Sequence, residues 1–137
     1  MTRSLIAALT LVALAGCQHA VPAGPIHIAL DTSGREPIVA VTGLSSSELA
    51  SVQSLSLSAE TWRQLFLVTI AGGDTPIVGR YTVTGDSLEF HPLFPFDPGR
   101  QYSVRIDLTR LPHPRSAPVV EAIIALPGGG PSAPIGR

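Results

Sequence analysis

Apolar and polar residues alternate along three stretches of the chain, and a period of two predicts strands with one buried face. Ile26, Ile28 and Leu30 alternate with His27, Ala29 and Asp31, and Thr32-Ser33-Gly34 ends the run with turn chemistry. Ile77, Gly79, Tyr81 and Val83 alternate with Val78, Arg80, Thr82 and Thr84. Gly85-Asp86 then precedes Leu88 and Phe90, so this stretch predicts a hairpin turning at residues 84–87. The clearest pattern runs over residues 101–108, where Tyr102, Val104, Ile106 and Leu108 face one way and Ser103, Arg105 and Asp107 the other. That is a half-buried antiparallel strand. Three further runs complete the set. Residues 37–43 carry Ile38, Val39 and Val41 on both faces and are expected centrally in a sheet. Residues 65–70 end at Gly72-Gly73-Asp74, and residues 119–126 follow a Pro-rich crossing at 112–118.

The period changes between the second and third strands. Ser45 and Glu48 stand at capping-box spacing, which predicts a short helix over 46–53 with Leu49 and Val52 on one face and Leu55 beyond. A second helical turn is expected over 59–64 with Ser58 as its cap. Trp62, Leu65 and Phe66 would be the apolar plug that fastens this insert to the sheet. About seven short strands with frequent turns and one helical insert predict a mainly β protein, an antiparallel β-sandwich.

Ahead of the strands, Arg3 precedes an apolar run over residues 5–14 and small residues follow it, the three parts of a secretory leader. Ten residues are too few to span a bilayer, which takes about 20. Leu14-Ala15-Gly16-Cys17 resembles a bacterial lipobox. The resemblance implies diacylglycerol on the Cys17 sulfur and cleavage just before it, so that Cys17 becomes the first residue. Each buried CH₂ adds about 0.8 kcal/mol, and two or three acyl chains hold a protein at a membrane where one does not. Gln18 after the cysteine resembles the sorting pattern for the outer membrane, so the expected destination is the bacterial cell envelope. The division expected is a signal peptide at 1–16, a flexible tether at 17–25, a β-sandwich domain at 26–127 and a Gly/Pro-rich tail at 128–137. Cys17 is the only cysteine, so no intramolecular disulfide exists and the fold must rest on its core.

Residues 85–106 read Gly-Asp-Ser-Leu-Glu-Phe-His-Pro-Leu-Phe-Pro-Phe-Asp-Pro-Gly-Arg-Gln-Tyr-Ser-Val-Arg-Ile. This stretch resembles bacterial immunoglobulin-like domains of multi-domain surface proteins and, more distantly, fibronectin type III domains. The shared pattern is strand, Pro, aliphatic or aromatic residue, Pro-Gly, then Tyr-x-Val. The resemblance implies an immunoglobulin-like sandwich in which Tyr102 is a tyrosine corner, ring buried and hydroxyl bonded to backbone upstream. Asp97-Pro98-Gly99 would be the turn into that strand. On function such a fold is nearly silent.

Charge and candidate chemistry narrow the function. All nine basic residues are Arg against ten acidic ones, a net charge of −1 with no basic stripe, which argues against nucleic acid as a partner. His19, His27, His91 and His113 lie outside ligand spacing of one another, and no metal or cofactor is expected. No Gly-x-Ser-x-Gly elbow occurs, and Ser45-Ser46-Ser47 reads as a helix cap. Most carboxylates fall at turns, where Asp bonds its own backbone. Phe94 and Phe96, in a Pro-flanked loop, are the expected contact surface. The expectation is therefore a non-catalytic, lipid-anchored envelope protein, structural or protein-binding, whose partners are the membrane through its lipid and another envelope protein. The alternatives are an envelope glycan- or peptidoglycan-binding lipoprotein, favoured by a surface Trp62, an enzyme or metal protein in which His27, His91 and an acid converge, and the leading domain of a truncated multi-domain surface protein.

The leader generates a direct test. Expressed in a Gram-negative host, the full chain should yield a membrane-bound product cut before Cys17 and carrying added acyl mass, while Cys17→Ser should yield none. An unacylated soluble product cut after Ala20 would remove the anchor.

Overall fold

The computed structural model describes residues 22–115 and 119–128. The leader, Cys17 and most of the Gly/Pro-rich tail lie outside these residues. The strands in chain order are β1 (His27–Asp31), β2 (Ile38–Thr42), β3 (Phe66–Ile70), β4 (Gly79–Val83), β5 (Ser87–Pro92), β6 (Gln101–Asp107) and β7 (Val119–Ala125). Every pairing is antiparallel. One sheet has the order β1-β2-β5-β4, the other β3-β6-β7. With two short helices, α1 (Ser46–Ser54) and α2 (Ala59–Leu65), the protein is mainly β. Among the described residues no helix is long and apolar enough to cross a membrane.

The alternation decides which residues form the core. In the four-stranded sheet Val39 pairs with Phe90 and Val41 with Leu88, and all four are fully buried. In the three-stranded sheet Phe66 pairs with Ile106 and Val68 with Val104, also buried. Rings join the two sheets. Phe66 lies 6.2 Å from Phe90, and Tyr81 touches both at 5.5 and 5.1 Å. Such contacts add about 0.5–1.5 kcal/mol each beyond the area they bury.

The strand expected to run from Ile77 is split between the sheets. Pro76 forms a bridge with Thr69 of β3, and the Ile77 N–H donates to the Val68 carbonyl at 2.8 Å. Two residues later the chain has moved to the other sheet, where the Leu93 N–H donates to the Val78 carbonyl and Gly79 pairs with Pro92. Pro76 has no N–H to extend the ladder with β3, which confines it to a sheet edge. Gly79 allows the close approach to β5, because a Cβ there would lie 2.4 Å from the His91 carbonyl and 2.5 Å from the Phe90 ring.

The helical insert forms as its caps predict. Glu48 N–H donates to Ser45 Oγ at 3.2 Å, and Ser45 N–H donates to the Glu48 carboxylate at 2.7 Å. Ser58 accepts from Thr61 N–H at 3.2 Å and starts α2. Leu65, expected in the strand, closes α2 instead, and Phe66 turns to extended backbone while its N–H still bonds Trp62. Trp62 stacks parallel on Tyr81 at 5.1 Å, which fastens the insert to β4. Burial pushes the Tyr81 hydroxyl up to about 12. At the end of β6, Asp107 shares the face of Arg105, whose Nη2 lies 3.9 Å from its carboxylate, as the alternation predicts. It is nonetheless nearly buried there, its carboxylate accepting from Thr109 N–H and capping a 3-10 turn over Leu108–Arg110.

Arg115 ties the remaining connections together. Its Nε and Nη2 each donate to the Glu48 carboxylate at 2.6 Å, Nη1 to the Gly24 carbonyl at 2.8 Å and Nη2 to the Gly43 carbonyl at 2.9 Å. Gly24 N–H also donates to the Gly43 carbonyl. The segment expected as tether is thus fastened to the domain from Gly24 onward. Gly43 sits at φ +99, with the position of a Cβ 2.1 Å from the Pro25 carbonyl, so only glycine fits where the chain crosses. The Arg115 guanidinium, with the Ser45 N–H, holds the Glu48 carboxyl down at about 2 from its ordinary 4.5.

Removal of Arg115 takes two bonds from Glu48, which keeps only that from Ser45 N–H, and one each from the Gly24 and Gly43 carbonyls, and Arg115→Ala should cost on the order of 2 kcal/mol. A depressed folded-state value places this stabilisation fully above pH 4.5 and removes it as pH falls towards 2. Urea unfolding across that interval should show the wild type losing stability more steeply than Arg115→Ala or Glu48→Gln. Parallel pH dependences would refute the assignment.

Candidate functional site

The strand registers give the molecule two poles. At one, the starts of β1, β3, β5 and β7 meet the ends of β2, β4 and β6, together with both helices and Arg115. At the other lie Ile70 at the end of β3, Gly79 at the start of β4, Pro92 at the end of β5 and Tyr102 near the start of β6. Strands of five to seven residues separate the poles by roughly 17–23 Å.

The second pole carries an apolar groove of about 310 Å³ between the crossing at Pro76–Val78 and the loop after β5. Its margin is unusually apolar for exposed surface. Phe94 is 74% exposed, Val78 65%, Leu93 63% and Ile70 39%. Local structure explains each one. Ile70 shares the inward face of β3 with Phe66 and Val68 and, as the last residue of the strand, reaches solvent where the core ends. Val78 lies where the chain passes between sheets, and the hydrogen bond from Leu93 to its carbonyl sets the two side chains beside each other. Pro95 follows Phe94 in a loop without regular pairing. On one rim Asp97 and Arg100 form an exposed ion pair at 3.0 Å, and Gly99, at φ +76, makes the turn between them. Exposed pairs of this kind stabilise little, and this one flanks the apolar surface with opposite charges.

Phe94 and Phe96, expected together as a contact surface, separate. Phe96 is only 4% exposed, with its ring 4.6 Å from that of Tyr102, and it belongs to the core. Tyr102 is buried beside it, and its hydroxyl accepts from the Asp97 N–H at 2.8 Å. That bond pulls the loop down at Asp97, which turns Phe96 inward and leaves Phe94 at the crest. Phe96 therefore floors the groove while Phe94 forms its wall.

His27 and His91 do not meet. His27 aligns with Thr42 and, across β2, with Ser87, whereas His91 lies four residues further along β5 opposite Arg80. His91 belongs to a polar cluster on the outer face of its sheet. Its Nε2 lies 3.0 Å from Thr82 Oγ1 and 3.2 Å from Glu89, and Ser87 and Thr84 continue the chain of bonds. Hydroxyl and carboxylate share one ring nitrogen, so this is not the relay geometry in which a base contacts a nucleophile through one nitrogen and an acid through the other. Among the described residues no group of three or more His, Cys, Asp or Glu is placed to hold a metal ion. Trp62 is half-buried at the opposite pole, one ring face against Tyr81, above a shallow depression that includes Ser56 at φ +48.

Comparison with family models, with curated proteins and with solved structures returns no match to this chain. Its site is therefore read from its own geometry. Sequence reasoning missed Ile70, Val78 and Leu93. One signal was present in each of two cases. Val78 is an aliphatic residue on the polar side of an alternating run, and Leu93 is bracketed by Pro92 and Phe94 where the alternation has stopped.

Phe96→Ala should cost about 3–5 kcal/mol as a core truncation, whereas Phe94→Ala should stay within about 0.5 kcal/mol. Tyr102→Phe, which removes the acceptor for Asp97, should cost about 1–2 kcal/mol. Urea unfolding of the three variants checks the order, and equal losses at Phe94 and Phe96 would contradict this division of the loop.

Proposed function

We propose that this chain is a non-catalytic, lipid-anchored protein of the bacterial cell envelope, whose immunoglobulin-like β-sandwich binds a protein partner through the groove beside Phe94. The strand orders β1-β2-β5-β4 and β3-β6-β7 support the fold part of this reading, since they reproduce the ABED and CFG sheets of constant-type immunoglobulin domains. The bond from Asp97 N–H to the buried Tyr102, near the start of the sixth strand, supports it further.

The observation that carries the binding function is the cluster of Phe94, Leu93, Val78 and Ile70 around one groove. Scattered exposed apolar residues are ordinary, whereas exposed apolar residues gathered at one place are often an interaction surface. Its walls are apolar and its rim polar, the composition of a protein contact. The polarity of the fold agrees with anchoring through Cys17. The chain reaches β1 at the pole of Arg115, so a lipid upstream of it leaves the groove facing away from the membrane that holds it.

A photo-crosslinking residue in place of Phe94 tests this in the cells that make the protein, with the same residue in place of Glu60 on exposed α2 as control. A discrete adduct should form from position 94 and not from position 60, and Val78→Asp with Leu93→Asp should abolish it. Equal labelling from both positions, or none from position 94, would overturn the reading.

A further inference from the structure

Four strands end the two sheets, and they differ in what occupies their outer edges. On β3 the Val68 carbonyl already accepts from the Ile77 N–H, and Pro76 bridges Thr69. β4 packs against α1, and Trp62 of α2 stacks on its Tyr81. β1 has five residues and carries His27 and Asp31 at its ends. β7 has seven residues, Val-Val-Glu-Ala-Ile-Ile-Ala, all paired with β6 in one unbroken register. Short length, proline, bulges and charge are what commonly keep an edge from pairing, and of these β7 has only Glu121.

One bond outside the ladder fixes where the backbone groups of β7 point. The Gln101 carbonyl accepts from the Ala71 N–H at 3.0 Å, so the backbone groups of Gln101 are directed at β3. The direction alternates along a strand, and those of Tyr102, Val104 and Ile106 are directed at β7, where they meet Ile124, Ala122 and Val120. The N–H and C=O groups of Val119, Glu121, Ile123 and Ala125 therefore point away from β6. None of them meets a hydrogen-bonding partner among the described residues. The side chains of the same four residues are exposed, Ile123 at 57%. Glu121, the one charge on this edge, is drawn back toward β6 by Arg105, whose Nε lies 3.5 Å from its carboxylate.

We infer that β7 is a self-pairing edge, joining a second copy of this chain antiparallel about a two-fold axis at Ala122, so that two three-stranded sheets become one of six strands. Two constraints set the register. Outward-pointing backbone groups must meet one another and side-chain faces must match, which pairs odd-numbered residues with odd-numbered ones. Like charges directly opposite are destabilising, which excludes pairing centred on Glu121. Centring on Ile123 leaves Val119 and Val120 beyond the end of the second copy's strand. Centring on Ala122 overlaps both strands in full, sets Val119 opposite Ala125 and Glu121 opposite Ile123, and gives all four outward-pointing residues a partner. The surface is then self-complementary, as a two-fold interface requires. The copies run head to tail, and β7 contributes no residue to the groove, so this inference stands apart from the reading of the groove as a binding site.

Cysteine trapping in the full chain, expressed in a Gram-negative host and oxidised in intact cells, tests this. Ala122 faces its own copy in a non-hydrogen-bonded pair, with Cα atoms about 4.5 Å apart and within disulfide range. Ala122→Cys should yield a disulfide joining two copies of the arginine-bounded peptide 116–137, which distinguishes it from any bond through Cys17. It should form at least about tenfold faster than with Val120→Cys, whose two copies stand about 14 Å apart in this register, or with Glu60→Cys. Added to Ala122→Cys, Ile123→Pro removes an N–H directed only at the free edge and should lower trapping about tenfold, with an unchanged circular dichroism spectrum. Ile123→Glu, which sets a carboxylate opposite the second copy's Glu121, should lower it likewise, whereas Ile123→Lys should preserve it. Equal closure at positions 60, 120 and 122, no closure at 122, or equal effects of Glu and Lys at 123 would each overturn the inference. A disulfide from position 122 to a different protein alone would overturn it in favour of a foreign strand.

Discussion

Five polar connections at one pole converge on the guanidinium of Arg115 and the carboxylate of Glu48. Chain crossings and helix starts leave backbone groups unpaired, and such groups are costly wherever water is excluded. Here the carbonyls of Gly24 and Gly43, both at crossings, receive donors from one planar side chain. Glu48 in turn both completes the cap of α1 and takes two bonds from Arg115. The contacts join residues 67, 72 and 91 positions apart, so the start of the domain, the beginning of the insert and the crossing from β6 to β7 are fixed as one unit. An arginine suits this task because its donors point in fixed directions within one plane, which a lysine ammonium does not provide.

At the opposite pole the same economy of backbone produces an exposed surface. Pro76 can join β3 for only one bridge, and the chain must then cross to β5 within two residues. The crossing seals one side of the core with Ile77, but Val78 has no sheet to face. Phe96 and Tyr102 fill the floor from beneath, while Phe94 and Leu93 remain above. The groove is thus a by-product of closing two sheets over one core.

The local patterns carried most of the secondary structure because their physics is local. The alternation around Tyr102, the capping spacing of Ser45 and Glu48, and the Ser58 cap each depend on residues within four positions. What the sequence hid was non-local. Glu48 reads as a cap and nothing more, since its second partner is 67 residues away. Phe94 and Phe96 carry the same side chain in the same loop, and no period distinguishes inside from outside there. The hydrogen bond from Asp97 to Tyr102 decides between them, and only the folded backbone contains it. The sheet change at Val78 was hidden for a similar reason. Alternation reports which face a residue occupies but not which sheet owns the strand.

The opposed placement of Gly24 and the groove has a mechanical consequence. A load applied between a membrane-held N-terminus and a ligand at the far pole would run nearly parallel to the strands. Ladder hydrogen bonds between β1 and β2 lie across that direction. They would be strained together in shear instead of opening one after another from an end. Arg115, whose grip on Gly24 lies upstream of the first strand, would meet the pull before the sheet does. A domain loaded in this way would carry a charged latch at the pulled end and the groove at the other.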